Sequence, residues 1–138
     1  MKEKFQNDKI EGYGFDFYSD GNKYIGEFKN NMREGFGIFY YSSGGRYVGV
    51  YKNSKREGYG IEYFPHGDKY KGNYKNNKFE GYGIFYFTNG VMIYEGEFIN
   101  NNLEGYGIVN YIDGKYEGEI KNFKREGIGK FIYLDGGI

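Results

Sequence analysis

The sequence repeats itself every 23 residues, and no other property limits its possible folds so strongly. Gly-x-Gly pairs fall at Gly12/Gly14, Gly35/Gly37, Gly58/Gly60, Gly81/Gly83, Gly105/Gly107 and Gly127/Gly129. With each pair set at positions 12 and 14 of a unit, a further glycine stands at position 21, as Gly21, Gly44, Gly67, Gly90, Gly114 and Gly136. Tyrosine opens units two to six at Tyr24, Tyr47, Tyr70, Tyr94 and Tyr116, and glycine follows at position 3, at Gly26, Gly49, Gly72, Gly96 and Gly118. The units are 1–23, 24–46, 47–69, 70–93, 94–115 and 116–138, so the 138 residues read as one repeat domain. Length changes fall only between position 21 and the next tyrosine, which marks that stretch as a loop.

Within a unit the period is two. In Tyr24-Ile25-Gly26-Glu27-Phe28 the odd positions carry rings and glycine while the even ones are mostly polar across the units, the alternation of a half-buried strand. The run from Gly35 to Tyr41 is a second strand, and Asn30-Asn31-Met32-Arg33 predicts a hairpin with a four-residue loop. In that register position 6 faces 11, pairing Lys29 with Glu34, Lys52 with Glu57, Lys75 with Glu80 and Lys121 with Glu126, while 5 faces 12, 3 faces 14 and 1 faces 16. Rings at positions 1 and 5 then lie across glycines at 3, 12 and 14. Composition agrees: 25 Gly, 18 Tyr and 13 Phe disfavour helix, where each glycine costs about 1 kcal/mol. The expected fold is all-β, an elongated single-layer antiparallel β-meander of six stacked hairpins and twelve strands. Unit one opens with Met1-Lys2-Glu3-Lys4 instead of the repeat pattern, and these residues are expected to protect the sheet edge.

Tyr24-Ile25-Gly26-Glu27-Phe28-Lys29-Asn30, then Arg33-Glu34-Gly35-Phe36-Gly37, then Gly44, resembles the MORN repeat, in six copies covering the whole chain. Where that family usually has Trp at position 5, this chain has Phe28, Tyr51, Tyr74, Phe98 and Ile120. The resemblance implies an elongated β-meander that works as a binding or scaffolding surface. Its implied settings are cytoskeletal and ciliary scaffolds, membrane tethers and regulatory segments of larger enzymes, and several members self-associate.

The inventory for catalysis is thin, and the chain is expected not to be an enzyme. His66 is the single histidine, in the loop Pro65-His66-Gly67, and with no cysteine it has no companion for a metal site or nucleophile relay. Glutamates recur at position 11 (Glu11, Glu34, Glu57, Glu80, Glu104 and Glu126), but at about 9–10 Å spacing they are too far apart to share an ion. No Gly-x-Gly pair continues into a dinucleotide fingerprint. No cofactor, metal or small-molecule substrate is expected. Nineteen basic and nineteen acidic residues give a net charge of zero, which sets up no global pull toward nucleic acid. No apolar run approaches the roughly 20 residues of a transmembrane helix, and no signal-peptide core follows Met1, so the expected location is intracellular. The resemblance implies cytoplasm, cytoskeleton or cilium, with a membrane-peripheral position as the alternative.

Two surfaces remain. Positions 13, 15 and 17 point away from the glycine floor and are apolar, most strongly as Phe36, Ile38 and Tyr40, Tyr59, Ile61 and Tyr63, Tyr82, Ile84 and Tyr86, and Tyr106. This stripe is the expected surface for a protein partner or for homo-oligomerisation, with Asn110 and Lys130 interrupting it toward the C-terminus. The other surface is a basic rim of hairpin tips, Lys29, Arg33, Lys52, Lys55, Arg56, Lys75, Lys78, Lys121, Lys124 and Arg125, where acidic phospholipid or an acidic protein could bind. The expected function is a non-enzymatic interaction and scaffold module of a cytoskeletal or ciliary assembly. The alternatives are a peripheral membrane tether and a regulatory segment of a larger enzyme.

Overall fold

The computed structural model describes residues 5–6, 9–88 and 92–134, and all of its regular structure is β-strand. β1 (Phe5–Gln6) and β2 (Lys9–Ile10) pair only with each other. β3 (Gly12–Phe17), β4 (Lys23–Lys29), β5 (Met32–Tyr40), β6 (Arg46–Lys52), β7 (Lys55–Tyr63) and β8 (Lys69–Lys75) open the main sheet. It continues through β9 (Lys78–Phe87), β10 (Met92–Ile99), β11 (Asn102–Tyr111), β12 (Gly114–Lys121) and β13 (Lys124–Tyr133). These eleven strands follow one another in sequence order, each antiparallel to its neighbours. The expected meander is therefore present, with eleven strands in the ribbon where twelve were expected, because the first half of unit one forms its own short sheet. The edge residues Met1 to Lys4, and Gly90 and Gly136, lie outside the described residues.

The hairpin loop is shorter than the expected four residues. Lys29 pairs with Met32 and Phe28 with Arg33, so the turn is Asn30–Asn31 alone. Both asparagines have positive φ, 51° and 68°, as does every corresponding pair down to Asn122 and Phe123. Two left-handed residues make the type I′ turn whose twist matches the flanking strands, and asparagine tolerates that conformation better than most residues. Beyond the turn one residue on β4 spans three on β5, between the Phe28↔Arg33 and Gly26↔Gly37 pairs. This bulge contains Gly35 at φ 76°, so position 12 is glycine for its backbone and not as a floor for rings.

The short turn also corrects the charge pairing. Lys52 faces Lys55, Lys75 faces Lys78 and Lys121 faces Lys124, so the lysines do not meet the position-11 glutamates of their own hairpins. They meet those of the preceding unit, as Glu104 opposite Lys121 shows. The glutamates then reach into the next turn. Asn53 N–H donates to Glu34 at 3.1 Å, Asn76 N–H to Glu57 at 2.7 Å, and Asn100 N–H to Glu80 at 3.1 Å. The second turn residue closes the latch. Asn77 N–H donates to the Arg56 carbonyl at 3.1 Å, and the Arg56 N–H donates to Asn77 Oδ1 at 2.9 Å.

Between units the loop is Ser19-Asp20-Gly21, with Tyr18 N–H bonded to the Asn22 carbonyl and Gly21 N–H to the Tyr18 carbonyl, both at 3.0 Å. Gly21 takes φ 94°, which fits a three-residue hairpin loop that ends in a left-handed residue.

The core is a layer of rings on one face of the sheet. Tyr24, Tyr47 and Tyr70 are fully buried, and each lies flat on the glycines at positions 3 and 14. A Cβ on Gly37 would sit 2.3 Å from the Tyr24 hydroxyl, and one on Gly60 would sit 2.5 Å from the Tyr47 ring. Position-5 rings stand edge-on between them: Tyr51 is 5.4 Å from Tyr24 and 5.2 Å from Tyr47, near-perpendicular to both. This edge-to-face packing joins each unit to the next. Unit five departs from it. Tyr94 is only half-buried there, and fully buried Leu103 with Ile120 covers Gly96 and Gly107 in its place.

Candidate functional site

The face opposite the ring layer carries the stripe of positions 13, 15 and 17, and all ten residues from Phe36 to Tyr106 lie on it. Its rows differ. At position 17 a cation from the neighbouring strand lies against three of the rings: Lys23 Nζ sits 5.6 Å from the Tyr40 ring centre, the Arg46 guanidinium 3.9 Å from Tyr63, and Lys69 Nζ 4.5 Å from Tyr86. Position 15, with Ile38, Ile61 and Ile84, is half-buried. Position 13 stays open. Phe36 is 49% exposed, Tyr59 51%, Tyr82 48% and Tyr106 65%. Because the row crosses every second strand, its rings recur at about 9–10 Å. Tyr82 donates a short hydrogen bond to Glu95, which with partial burial pushes its phenol up to about 12. At the N-terminal end Phe15, Phe17, Lys23, Tyr24, Ile25 and Tyr40 line a shallow, mainly apolar cavity of about 220 Å³.

The ring face holds charges that do not belong to a rim. Position 10 is part of strands β5 and β7, so Arg33 and Arg56 project among the aromatic side chains and not into the hairpin tips. Arg33 lies 4.9 Å from the Phe39 ring centre and 5.0 Å from that of Tyr51, donating to the Tyr18 hydroxyl and the Ser54 carbonyl at 2.9 Å each. Arg56 pairs with buried Glu62 at 2.6 Å, and the Tyr74 hydroxyl donates to the same carboxylate oxygen at 2.9 Å. Burial is the largest single influence and lowers the Arg56 pKa, but the Glu62 carboxylate together with the Tyr41, Tyr74 and Tyr51 phenols makes the net shift upward. Burial, followed by the Glu62 charge, drives the Tyr74 phenol far up, and burial pushes Tyr41 up to about 12. Arg125 is exposed but also leans over rings, 5.7 Å from Tyr116.

What remains of the rim is lysine. Lys29, Lys52, Lys55, Lys75, Lys78, Lys121 and Lys124 are exposed at hairpin tips, three pairs of them directly opposite one another. His66 is an exposed turn residue.

Reading by parity found the stripe but missed the Arg56–Glu62–Tyr74 cluster. Its signal was present: Glu62 is the one glutamate at position 16, a position that elsewhere reads Asp16, Phe39, Phe85, Val109 and Phe131. A carboxylate among core rings calls for a cation on the same face.

The family model for the MORN repeat matches residues 4–23, 24–46, 47–69, 70–92, 94–115 and 116–138. Repeats of this kind are interaction modules for proteins or membranes. No curated protein matches the chain.

Proposed function

Because the chain belongs to the MORN-repeat family, we propose that it is a non-enzymatic scaffold module that docks a protein partner on its open face. The observation that carries this reading is the row of half-exposed rings at position 13, Phe36, Tyr59 and Tyr82, on a sheet face that nothing else among the described residues covers. Rings held on a hydrogen-bonded sheet lose little conformational freedom on binding, so their burial converts efficiently into affinity. The partner is another protein or a second copy of the chain. The setting we propose for such a module is an intracellular cytoskeletal or ciliary assembly.

Replacing Tyr59 and Tyr82 together by Ser tests the docking surface. Their exposed rings contribute little to folding, so circular dichroism should stay unchanged while partner capture, or self-association seen by light scattering across a concentration series, is lost. Undiminished binding by the double variant would overturn the docking surface.

The facing lysine pairs at the tips favour a second reading, a peripheral membrane tether. Like charges directly opposite one another destabilise a hairpin, and an anionic surface would relieve that cost. Sedimentation with phosphatidylserine vesicles that weakens steeply with salt would support the tether, and no sedimentation at low salt would reject it.

A further inference from the structure

We propose that the pocket between Arg33 and Arg56, on the face opposite the tyrosine row, is a carboxylate-binding subsite that takes a glutamate or aspartate side chain from an acidic segment of a partner. Phe39, Tyr41, Tyr51, Ser54 and Asn77 complete its lining, and its volume is about 170 Å³.

The repeat supplies its own precedent. Arg33 and Arg56 occupy the same position in adjacent units, and so do Tyr51 and Tyr74. In unit three these two donor types converge on a carboxylate, with Arg56 Nη1 at 2.6 Å and the Tyr74 hydroxyl at 2.9 Å from one oxygen of Glu62. In unit two the residue in the place of Glu62 is Phe39. The donors are kept and the acceptor is gone. Arg33 uses only neutral acceptors, the Tyr18 hydroxyl and the Ser54 carbonyl, and its buried Nε has no hydrogen-bond partner. Among the described residues no carboxylate pairs with it. A half-buried guanidinium without a counter-ion lowers its free energy by taking up an anion.

Charge selects the class of anion. Arg56 is already neutralised by Glu62, so the pocket offers the single uncompensated charge of Arg33, which suits a monoanionic carboxylate better than a phosphate dianion. The aromatic walls suit the methylene stem of a glutamate. This site adds a charge-reading element to the docking surface on the other face, and its test does not depend on that surface.

The chain has four arginines, so their side-chain Nε–Hε signals form a simple nitrogen–proton spectrum. An acetylated, amidated hexaglutamate peptide should shift the Arg33 signal saturably, with hexaglutamine and inorganic phosphate as comparators. Arg33→Met should weaken binding by about tenfold or more, while removing two tip lysines in Lys52→Gln/Lys75→Gln should leave the Arg33 response in place. Phe39→Glu places a carboxylate where unit three has one and should abolish binding with Arg33 still present. The wild-type titration reads the site even where a variant fails to fold. An Arg33 signal that does not move, phosphate binding tighter than hexaglutamate, or unchanged affinity in Arg33→Met would each overturn the assignment.

Discussion

The Tyr70 hydroxyl donates to the Asn73 carbonyl at 2.8 Å while its ring lies across Gly72 and Gly83, so one side chain is both a strand contact and the roof of the sheet. A Cβ on Gly83 would sit 2.3 Å from that hydroxyl. Gly83→Ala should therefore destabilise the fold by about 3 kcal/mol in urea denaturation. Tyr70→Phe removes only the hydrogen bond and should cost about 1 kcal/mol. Gly105→Ala is the control: it meets nothing within 4 Å, but φ is 85°, so the cost should be backbone strain of about 1 kcal/mol.

Glu62 and Arg56 form an ion pair among rings, with side chains 9% and 21% exposed. Breaking it should cost more than it contributes. Glu62→Ala strands the guanidinium and should destabilise by about 3 kcal/mol, whereas replacing both residues in Arg56→Met/Glu62→Leu should stay within about 1 kcal/mol of the parent. A double-mutant cycle of Glu62→Ala with Tyr74→Phe should show coupling, because both hydrogen bonds end on one oxygen.

The buried tyrosines make the fold sensitive to alkali. Tyr41 is raised to about 12, and Tyr24, Tyr47, Tyr51, Tyr70 and Tyr74 are raised further, chiefly by burial. An unfolded phenol releases its proton near pH 10, so above that pH the unfolded chain holds fewer protons than the folded one. Stability is complete below about pH 10 and falls as pH rises through 12 and beyond. Phenolate absorbance from these rings should rise together with loss of the far-ultraviolet β signal. Full ionisation with the β signal intact would contradict the buried layer.

Asn77 combines a left-handed φ of 69° with two hydrogen bonds to the Arg56 backbone. Asn77→Ala should cost about 2 kcal/mol by thermal melting, and Asn77→Gly less, because glycine keeps the turn conformation. Phe123 holds the equivalent place at φ 65° without a side-chain amide, and its ring packs 5.4 Å from Tyr94 and 5.9 Å from Phe98. Phe123→Asn should therefore destabilise despite relieving the turn, by about 1–2 kcal/mol, since the ring contacts outweigh the strain.

The ribbon itself was legible in the sequence because its causes are periodic. Glycine at 3 and 14 against tyrosine at 1 is a steric relation that survives in any register pairing those positions, and Gly26 opposite Gly37 was placed correctly. The turn was misjudged because charged pairs at positions 9 and 10, such as Lys55-Arg56 and Lys124-Arg125, look like loop, whereas Arg33 at position 10 stacks its head on rings. The complementarity of lysine 6 and glutamate 11 was real, but it lies between units and not within them, as Glu104 and Lys121 demonstrate. Alternation alone cannot distinguish those two neighbours. The stripe was visible as parity, while the cations against Tyr40, Tyr63 and Tyr86 come from Lys23, Arg46 and Lys69, which the repeat pattern reads as inter-unit loop and which in fact open β4, β6 and β8.

The latch from each glutamate to the following turn gives the ribbon a direction. Glu34 secures Asn53, Glu57 secures Asn76 and Glu80 secures Asn100, always forward along the chain. Each hairpin thus presents a carboxylate to its successor, and the successor returns a side-chain oxygen, as Ser54 Oγ does to the Arg33 N–H and Asn101 Oδ1 to that of Phe79. Synthesis also runs forward, so a newly made unit meets a template that is already set. Carboxylate forward and turn oxygen backward recur at successive junctions, so a copy deleted from the middle leaves neighbours whose ends still match.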